Sequence, residues 1–336
     1  MKLTPSLVAK LAYRWGTRLA RRATHPHGII LMYHRVASPA ADPWNICVSP
    51  ENFAGHMRAL AQLADVVPLQ ELPTSLRKGR RSRPVAAVTF DDGYLDNLLA
   101  AKPVLDSLDI PATVFVPTGW IGDSRPMWWD RLSHALLTPE TLPASLALSV
   151  HGQDFAWQQP EVSRKDGIGR RARMRLHREV WSRMRTLPDD ESRQAVVDAL
   201  VATLNTDETA VAGARPLTRD ELRALAAGGR FQVGSHSVNH PTLPSLSGEA
   251  KAWEIEESAR QFEEILGTRP AIFAYPYGDL DDESVGLVRE AGYALACSIR
   301  EDLIWEGDDP YRLPRIAAGN WSAGEFHKRL GWYWLA

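Results

Sequence analysis

Seven apolar runs punctuate the chain, each stopping at a polar or turn-forming residue. Ile29 to Tyr33 ends at His34, Val85 to Phe90 at two acids, and Ala112 to Val116 at a proline. Phe231 to Ser235, Ile272 to Tyr275, Ala294 to Ile299 and Leu313 to Ile316 follow later in the sequence. Runs of this length, without a period of two, predict strands buried on both faces, as in a parallel sheet. The segments between them carry helix signals. Ser49-Pro50-Glu51 supplies an N-cap and a proline in the first turn of a helix reaching about Leu63. A further helix is expected around Asp96 to Leu108. Thr218-Arg219-Asp220-Glu221 reads as a capping box before a helix that stops at Gly228-Gly229. Helices are also expected from Ser247 to Leu266, from Glu283 to Ala291, and after Ser322 to the aromatic C-terminus. Strand alternating with helix predicts an α/β fold with parallel strands.

That rhythm fails between about residues 127 and 215, where charged helical patterns and one hairpin signal, Leu146 to Trp157, replace the strands. A crossover needs far fewer residues, so this stretch reads as a mainly helical insertion into a unit spanning 28–336. From Arg164 to Arg185 the insertion carries nine Lys or Arg against Asp166 and Glu179. A solvated helix face explains such a run; docking onto anionic lipid or an acidic glycan is the alternative. Residues 1–27 form a second basic segment, predicted as a helix. Leu7, Leu11, Trp15 and Leu19 recur at four-residue spacing and no acid precedes Asp42. The segment either packs on the domain or lies on an anionic membrane surface.

Composition narrows the classes. A chain of 336 residues with 44% hydrophobic content can bury a sizeable core. A net charge of −2 gives no general attraction to polyanions, so nucleic acid is not an expected partner. Cys47 and Cys297 are the only cysteines, and Cys297 lies in a predicted strand, so no disulfide is expected. Basic residues interrupt every apolar stretch near the N-terminus, which argues against a cleaved signal peptide. The expected location is therefore cytoplasmic, with peripheral contact at a membrane as a further expectation.

The chemistry-bearing residues stand where two of the strands end. Thr89-Phe90-Asp91-Asp92-Gly93-Tyr94 closes one, and His236-Ser237-Val238-Asn239-His240 follows another. Strands of one parallel sheet share an edge at their C-terminal ends, so Asp92, His236 and His240 can meet there. Two imidazoles and a carboxylate suit zinc with an open position, and Asp91 beside them is placed to act as a base. Two adjacent carboxylates repel unless one is neutralised, which also divides their roles. A non-haem iron site uses the same ligand types, but its usual H-x-D/E spacing is absent.

These residues resemble the first two motifs of the polysaccharide deacetylase family, carbohydrate esterase family 4. Phe273-Ala274-Tyr275-Pro276-Tyr277-Gly278 is similar to the third, and the likeness covers roughly 28–125 and 228–320. The resemblance implies a deformed barrel of about seven parallel β/α units. It implies that Asp91 is the general base, that Asp92, His236 and His240 bind a divalent metal, most simply zinc, and that the Tyr277 amide stabilises an oxyanion. The implied activity is removal of N-acetyl groups from an N-acetylated glycan or lipid-linked sugar. A formamido sugar or ureide hydrolase, or a non-catalytic sugar-binding protein, are the alternatives. The chain departs from the family pattern at two places. Ala274 stands where an arginine orienting the base is expected, and Arg315 is the candidate replacement. No late Leu-x-His supplies a general acid; His34 is the candidate, with a core histidine as the competing reading. Among the 12 tryptophans, Trp44, Trp120, Trp128, Trp129 and Trp321 follow strand ends or open the insertion, where sugar stacking is possible but packing is commoner.

Overall fold

The computed structural model describes residues 26–77, 83–150, 153–158, 162–163, 167–187 and 189–335. Eight strands of the main sheet frame the barrel: β1 (His27–Tyr33), β2 (Val85–Phe90), β3 (Ala112–Val116), β4 (Phe231–Ser235), β5 (Ile272–Ala274), β6 (Leu295–Cys297), β7 (Ile304–Trp305) and β8 (Ile316–Ala317). Their order is β6-β5-β4-β3-β2-β1-β7, with β8 also paired to β1. β1 to β6 and β8 run parallel, as does the two-residue strand Asp65–Val66 beside β2, in keeping with the expected deformed (β/α) barrel of about seven parallel strands. Every residue of β2 and β3 is buried, which explains their unbroken apolar sequence. Two-residue β7 is antiparallel to the start of β1, a feature too short to leave a period in the sequence. The predicted strand Leu313 to Ile316 is realised as β8 and a single parallel bridge between Leu313 and Cys297. That segment joins the curled sheet's two sides: Ser298 N–H donates to Leu313 O at 2.8 Å, and Ala318 N–H to Met32 O at 2.9 Å.

The helices follow the capping signals. Helix α1 (Pro50–Leu63) starts at Ser49, whose hydroxyl accepts from Asn52 N–H. Between residues 127 and 215 lie α2 (Trp128–Leu137), α3 (Gly167–Met184) and α4 (Asp190–Leu204). Helix α5 (Arg219–Ala226) begins with the Thr218/Glu221 capping box, and α6 (Gly248–Leu266), α7 (Asp282–Glu290) and α8 (Ala323–Leu335) follow; a short helix, Leu72–Arg77, precedes β2. The helix expected over 96–108 opens as a π-helical turn at Asn97–Ala101, with Lys102 N–H bonded to Asn97 O, before an α-helix at Lys102–Ser107. Pro103 is the cause, since its ring clashes with the carbonyl four residues back and it offers no N–H.

Within the stretch expected to be an insertion, Trp128, Leu132, Leu136, Leu176, Met184, Val197 and Leu200 are buried in one cluster. The same cluster includes barrel residues Tyr94 and Trp120, so insertion and barrel share one packed interior there. Its hairpin is Ser145–Val150 with Gln153–Gln158. In the basic stretch, Arg170, Arg171, Arg175, Arg178 and Arg183 are exposed, as a solvated face requires, whereas Arg173 is buried under Pro139 and Glu140 carbonyls. Both cysteines are free and buried. The basic segment predicted at 1–27 lies almost wholly outside the described residues. Among the described residues, no helix is long and apolar enough to cross a membrane.

His56 of α1 ties the barrel to the C-terminal segment. Its Nε2 lies 2.7 Å from the Trp321 carbonyl, which can only accept, so Nδ1 is free to accept from the Tyr33 hydroxyl at 3.2 Å. The ring stacks on Phe326 at 4.1 Å. Burial lowers its pKa from 6.5 to about 4, partly offset by the bond to Trp321. The unfolded chain therefore takes up this proton first. The contribution to stability is complete above pH 6.5 and is lost as pH falls toward 4, on the order of 3 kcal/mol over that window. Urea unfolding of wild type and His56→Gln should show their stability difference shrinking across that interval; a constant difference would contradict the neutral, buried imidazole.

Candidate active site

The TFDDGY segment turns sharply after β2 because two consecutive residues adopt left-handed backbone: Asp92 at φ 71° and Gly93 at φ 65°. A side chain at Gly93 would bring a Cβ to 2.7 Å from Val116, so only glycine fits beside β3. The turn after β4 is similarly tight, with Ser237 at φ 66° and His240 at φ 53°. Such values are costly for residues with a Cβ and need support from their surroundings. Glu254, buried on α6, provides it: one carboxylate oxygen accepts from Val238 and Asn239 N–H at 2.8 and 2.9 Å, and the other from the Asn239 amide at 2.8 Å. His240 N–H donates to Ser237 Oγ at 3.1 Å.

These turns bring Asp92, His236 and His240 together, all buried. His236 Nε2 lies 3.2 Å from His240 Nε2, and Asp92 Oδ1 lies 3.7 and 3.5 Å from the two. The ligands of a tetrahedral zinc, at about 2.0 to 2.1 Å from the metal, stand about 3.3 Å apart, so these atoms fit such an ion. The Ala274 carbonyl, 2.7 Å from His236 Nδ1, can only accept, which fixes the proton on Nδ1 and directs the Nε2 lone pair into the site. Burial lowers the His236 pKa to about 4 and that of His240 still more clearly, so both rings are neutral and able to ligate. Burial, and then the charges of Asp91 and Asp130, push the Asp92 carboxyl up. A divalent cation would reverse that penalty.

Asp91 has a different partner. Arg315, with no solvent exposure, grips it through two bonds of 2.7 Å, one to each carboxylate oxygen. The guanidinium also donates to Ser298 O at 2.9 Å and Thr89 Oγ1 at 3.3 Å. Burial pushes the Asp91 carboxyl up, but the Arg315 charge and its hydrogen bonds bring it below its ordinary 3.8. The cationic partner of Asp91 thus comes from just before β8.

A cavity of about 300 Å³ opens over these groups, and His34, Tyr277, Trp44 and Trp129 line it. His34 is half-buried; burial lowers its pKa, against which the Asp91 charge acts. Tyr277 has left-handed backbone at φ 57°, and its buried hydroxyl has no hydrogen-bond partner among the described residues. Trp120 and Trp128 are buried packing residues outside the lining, and Trp321 packs under Arg329 at 4.4 Å. Behind the site, Asp130 accepts from the Tyr94 hydroxyl at 2.7 Å and from Arg35 at 2.8 Å, while Trp129 Nε1–H donates to Tyr94 at 2.6 Å.

Sequence reasoning missed Trp181 and Arg185, which also line the cavity. Both lie in the stretch read as a solvated basic face, and no local pattern separates them from it. Asp130 and Glu254 were missed as well; each is a lone acid in a helical pattern with nothing in sequence to mark its partner.

A model of the polysaccharide deacetylase family matches residues 78–147 and 192–296, more than half of the chain. Chitin deacetylase 1 of Cryptococcus neoformans is 30% identical over 82 residues, which is 24% of this chain and 17% of that protein. The Streptococcus pyogenes deacetylase PplD, solved in complex with acetate, superposes at TM-score 0.57 with 18% identity, over 91% of this chain and 98% of its own. IcaB from Ammonifex degensii superposes at 0.57 with 19% identity, over 93% and 100%. These two structures share the fold.

Removing the support of the second turn should loosen the ligand set without touching a ligand. Glu254→Gln is expected to weaken zinc binding about 10- to 100-fold in chelator competition, the usual effect of a lost supporting contact. Unchanged affinity would show that the turn holds its shape unaided.

Proposed function

The chain belongs to the polysaccharide deacetylase family, and on that footing we propose that it is a metal-dependent N-deacetylase, hydrolysing the acetamido group of an N-acetylated sugar to acetate and the free amine. The observation that carries the proposal is three ligand atoms 3.2 to 3.7 Å apart beside a carboxylate held by a buried arginine.

A divalent cation on Asp92, His236 and His240, zinc by the nitrogen-rich ligand set, would polarise the acyl carbonyl and make water easier to deprotonate. Asp91 then serves as general base. The Arg315 fork keeps it ionised at neutral pH and fixes its plane, leaving the remaining lone pairs for the water proton. The Tyr277 main-chain amide, on the turn lining the cavity, is the candidate donor to the oxyanion. His34 is the candidate acid that delivers a proton to the leaving amine. Burial lowers its pKa and leaves it neutral at rest, so it would act as a relay, taking up the proton that Asp91 removes from the attacking water and passing it to the leaving nitrogen. A protein that only bound sugar would have little use for a desolvated carboxylate–guanidinium pair at the base of its cavity, since such pairs are costly to bury.

Asp91→Asn should retain zinc and lose activity on the order of 100-fold or more, as expected for a general base. Acetate release and metal content measured on the same samples give the answer; full turnover would reject the role.

Arg315→Met removes the charge that holds the Asp91 carboxyl down, so that pKa rises. The base must be ionised to act, and the acidic limb of the rate profile should therefore move to higher pH with a lower plateau. An unmoved limb would mean that Arg315 does not govern the base.

A further inference from the structure

Helix α3 reaches both sides of the barrel mouth. Trp181 packs against Trp44, in the loop after β1, with ring centroids 4.6 Å apart. On the far side Trp181 meets Tyr277 edge-on at 5.8 Å, and the Arg185 guanidinium covers the same ring at 4.5 Å. Arg185 also donates to Thr242 Oγ1 at 3.0 Å and pairs with Asp279. Thr242 follows β4, while Tyr277 and Asp279 follow β5. Between β1 and β5 the sheet holds β2, β3 and β4, so these contacts carry the helix across the opening. Residues 148–191, which include α3, lie outside the segments the family model matches.

A long glycan attacked at an internal sugar must enter and leave, which requires a groove open at both ends. Here the Trp44–Trp181 contact and the Arg185 anchors wall the cavity between opposite loops. The remaining space, about 300 Å³, is at the lower end of the range for small-ligand pockets, about 300 to 1,000 Å³. We infer that the enzyme acts on a single N-acylated sugar or on the terminal sugar of a glycan, and that Trp181 with Trp44 imposes this limit. The inference rests on the deacetylase reading of the site and adds to it a class of substrate. Arg185 contributes no free charge to recognition, because Asp279 already neutralises it.

The test uses the zinc-loaded full chain and N-acetylglucosamine pentamers, β-1,4- and β-1,6-linked, labelled at the reducing end. Tandem mass spectrometry locates each lost acetyl group. Deacetylation should fall on one terminal residue at least ten times as often as on any internal one. Trp181→Ala should raise the internal share severalfold. Trp44→Ala, in a loop outside the insertion, should do the same and guards against misfolding of α3. Wild-type attack on internal sugars at a frequency comparable to the ends would overturn the inference while leaving the deacetylase reading intact. An unchanged pattern in both variants would overturn the role given to the two tryptophans. N-acetylglucosamine itself is assayed alongside: acetate from the monosaccharide but from neither pentamer would support the single-sugar limit, and acetate from none of the three would overturn the deacetylase reading and the inference together.

Discussion

The fork between Arg315 and Asp91 is the interaction on which the site depends. It is a buried ion pair in which each carboxylate oxygen receives a 2.7 Å bond from a guanidinium with no solvent exposure. Breaking such a pair leaves a desolvated charge and costs about 3 to 5 kcal/mol. Arg315 also bonds the ends of β6 and β2, through Ser298 O and Thr89 Oγ1, so the same residue links strands across the interior.

The pair also decides what happens next door. With Asp91 compensated, Asp92 is the acid left facing two neutral imidazoles, and burial together with the charge of Asp91 disfavours its ionised form. The folded chain thus keeps an electrostatic debt at one point, held by turns whose backbone is itself strained at Asp92, Ser237 and His240. A cation on these ligands would relieve the charge, and the Glu254 carboxylate holds the second turn in place. Strain gathered at a single spot by supports from α6 and β8 is characteristic of sites that must be ready before a ligand arrives.

Much of this was legible in sequence because it is carried by strand ends. The run Val85 to Phe90 stopping at two acids, and Phe231 to Ser235 stopping at a histidine, fix which residues share the C-terminal edge of a parallel sheet. Arg315 could be named because it lies on a late strand candidate while Ala274 leaves a charge missing. Residues reached through tertiary packing were not legible. Trp181 sits in, and Arg185 just after, a helix whose composition is that of a solvated surface, and only the crossing of α3 over the mouth turns them inward. Antiparallel β7 is two residues long, below any detectable periodicity. The π-helical turn at Asn97–Ala101 is traceable to Pro103, yet a proline near a helix start ordinarily reads as a simple first-turn residue.

The central claim is that the barrel mouth is built around one cation bound by two imidazole nitrogens and a carboxylate oxygen. X-ray absorption at the zinc edge of the loaded protein addresses it directly, because it reads the ligand shell without reference to turnover. The account predicts a four-coordinate shell of nitrogen and oxygen at about 2.0 to 2.1 Å, with the outer-shell scattering of two imidazole rings. A sulfur contribution near 2.3 Å, an all-oxygen shell, or scattering from fewer than two imidazoles would contradict it.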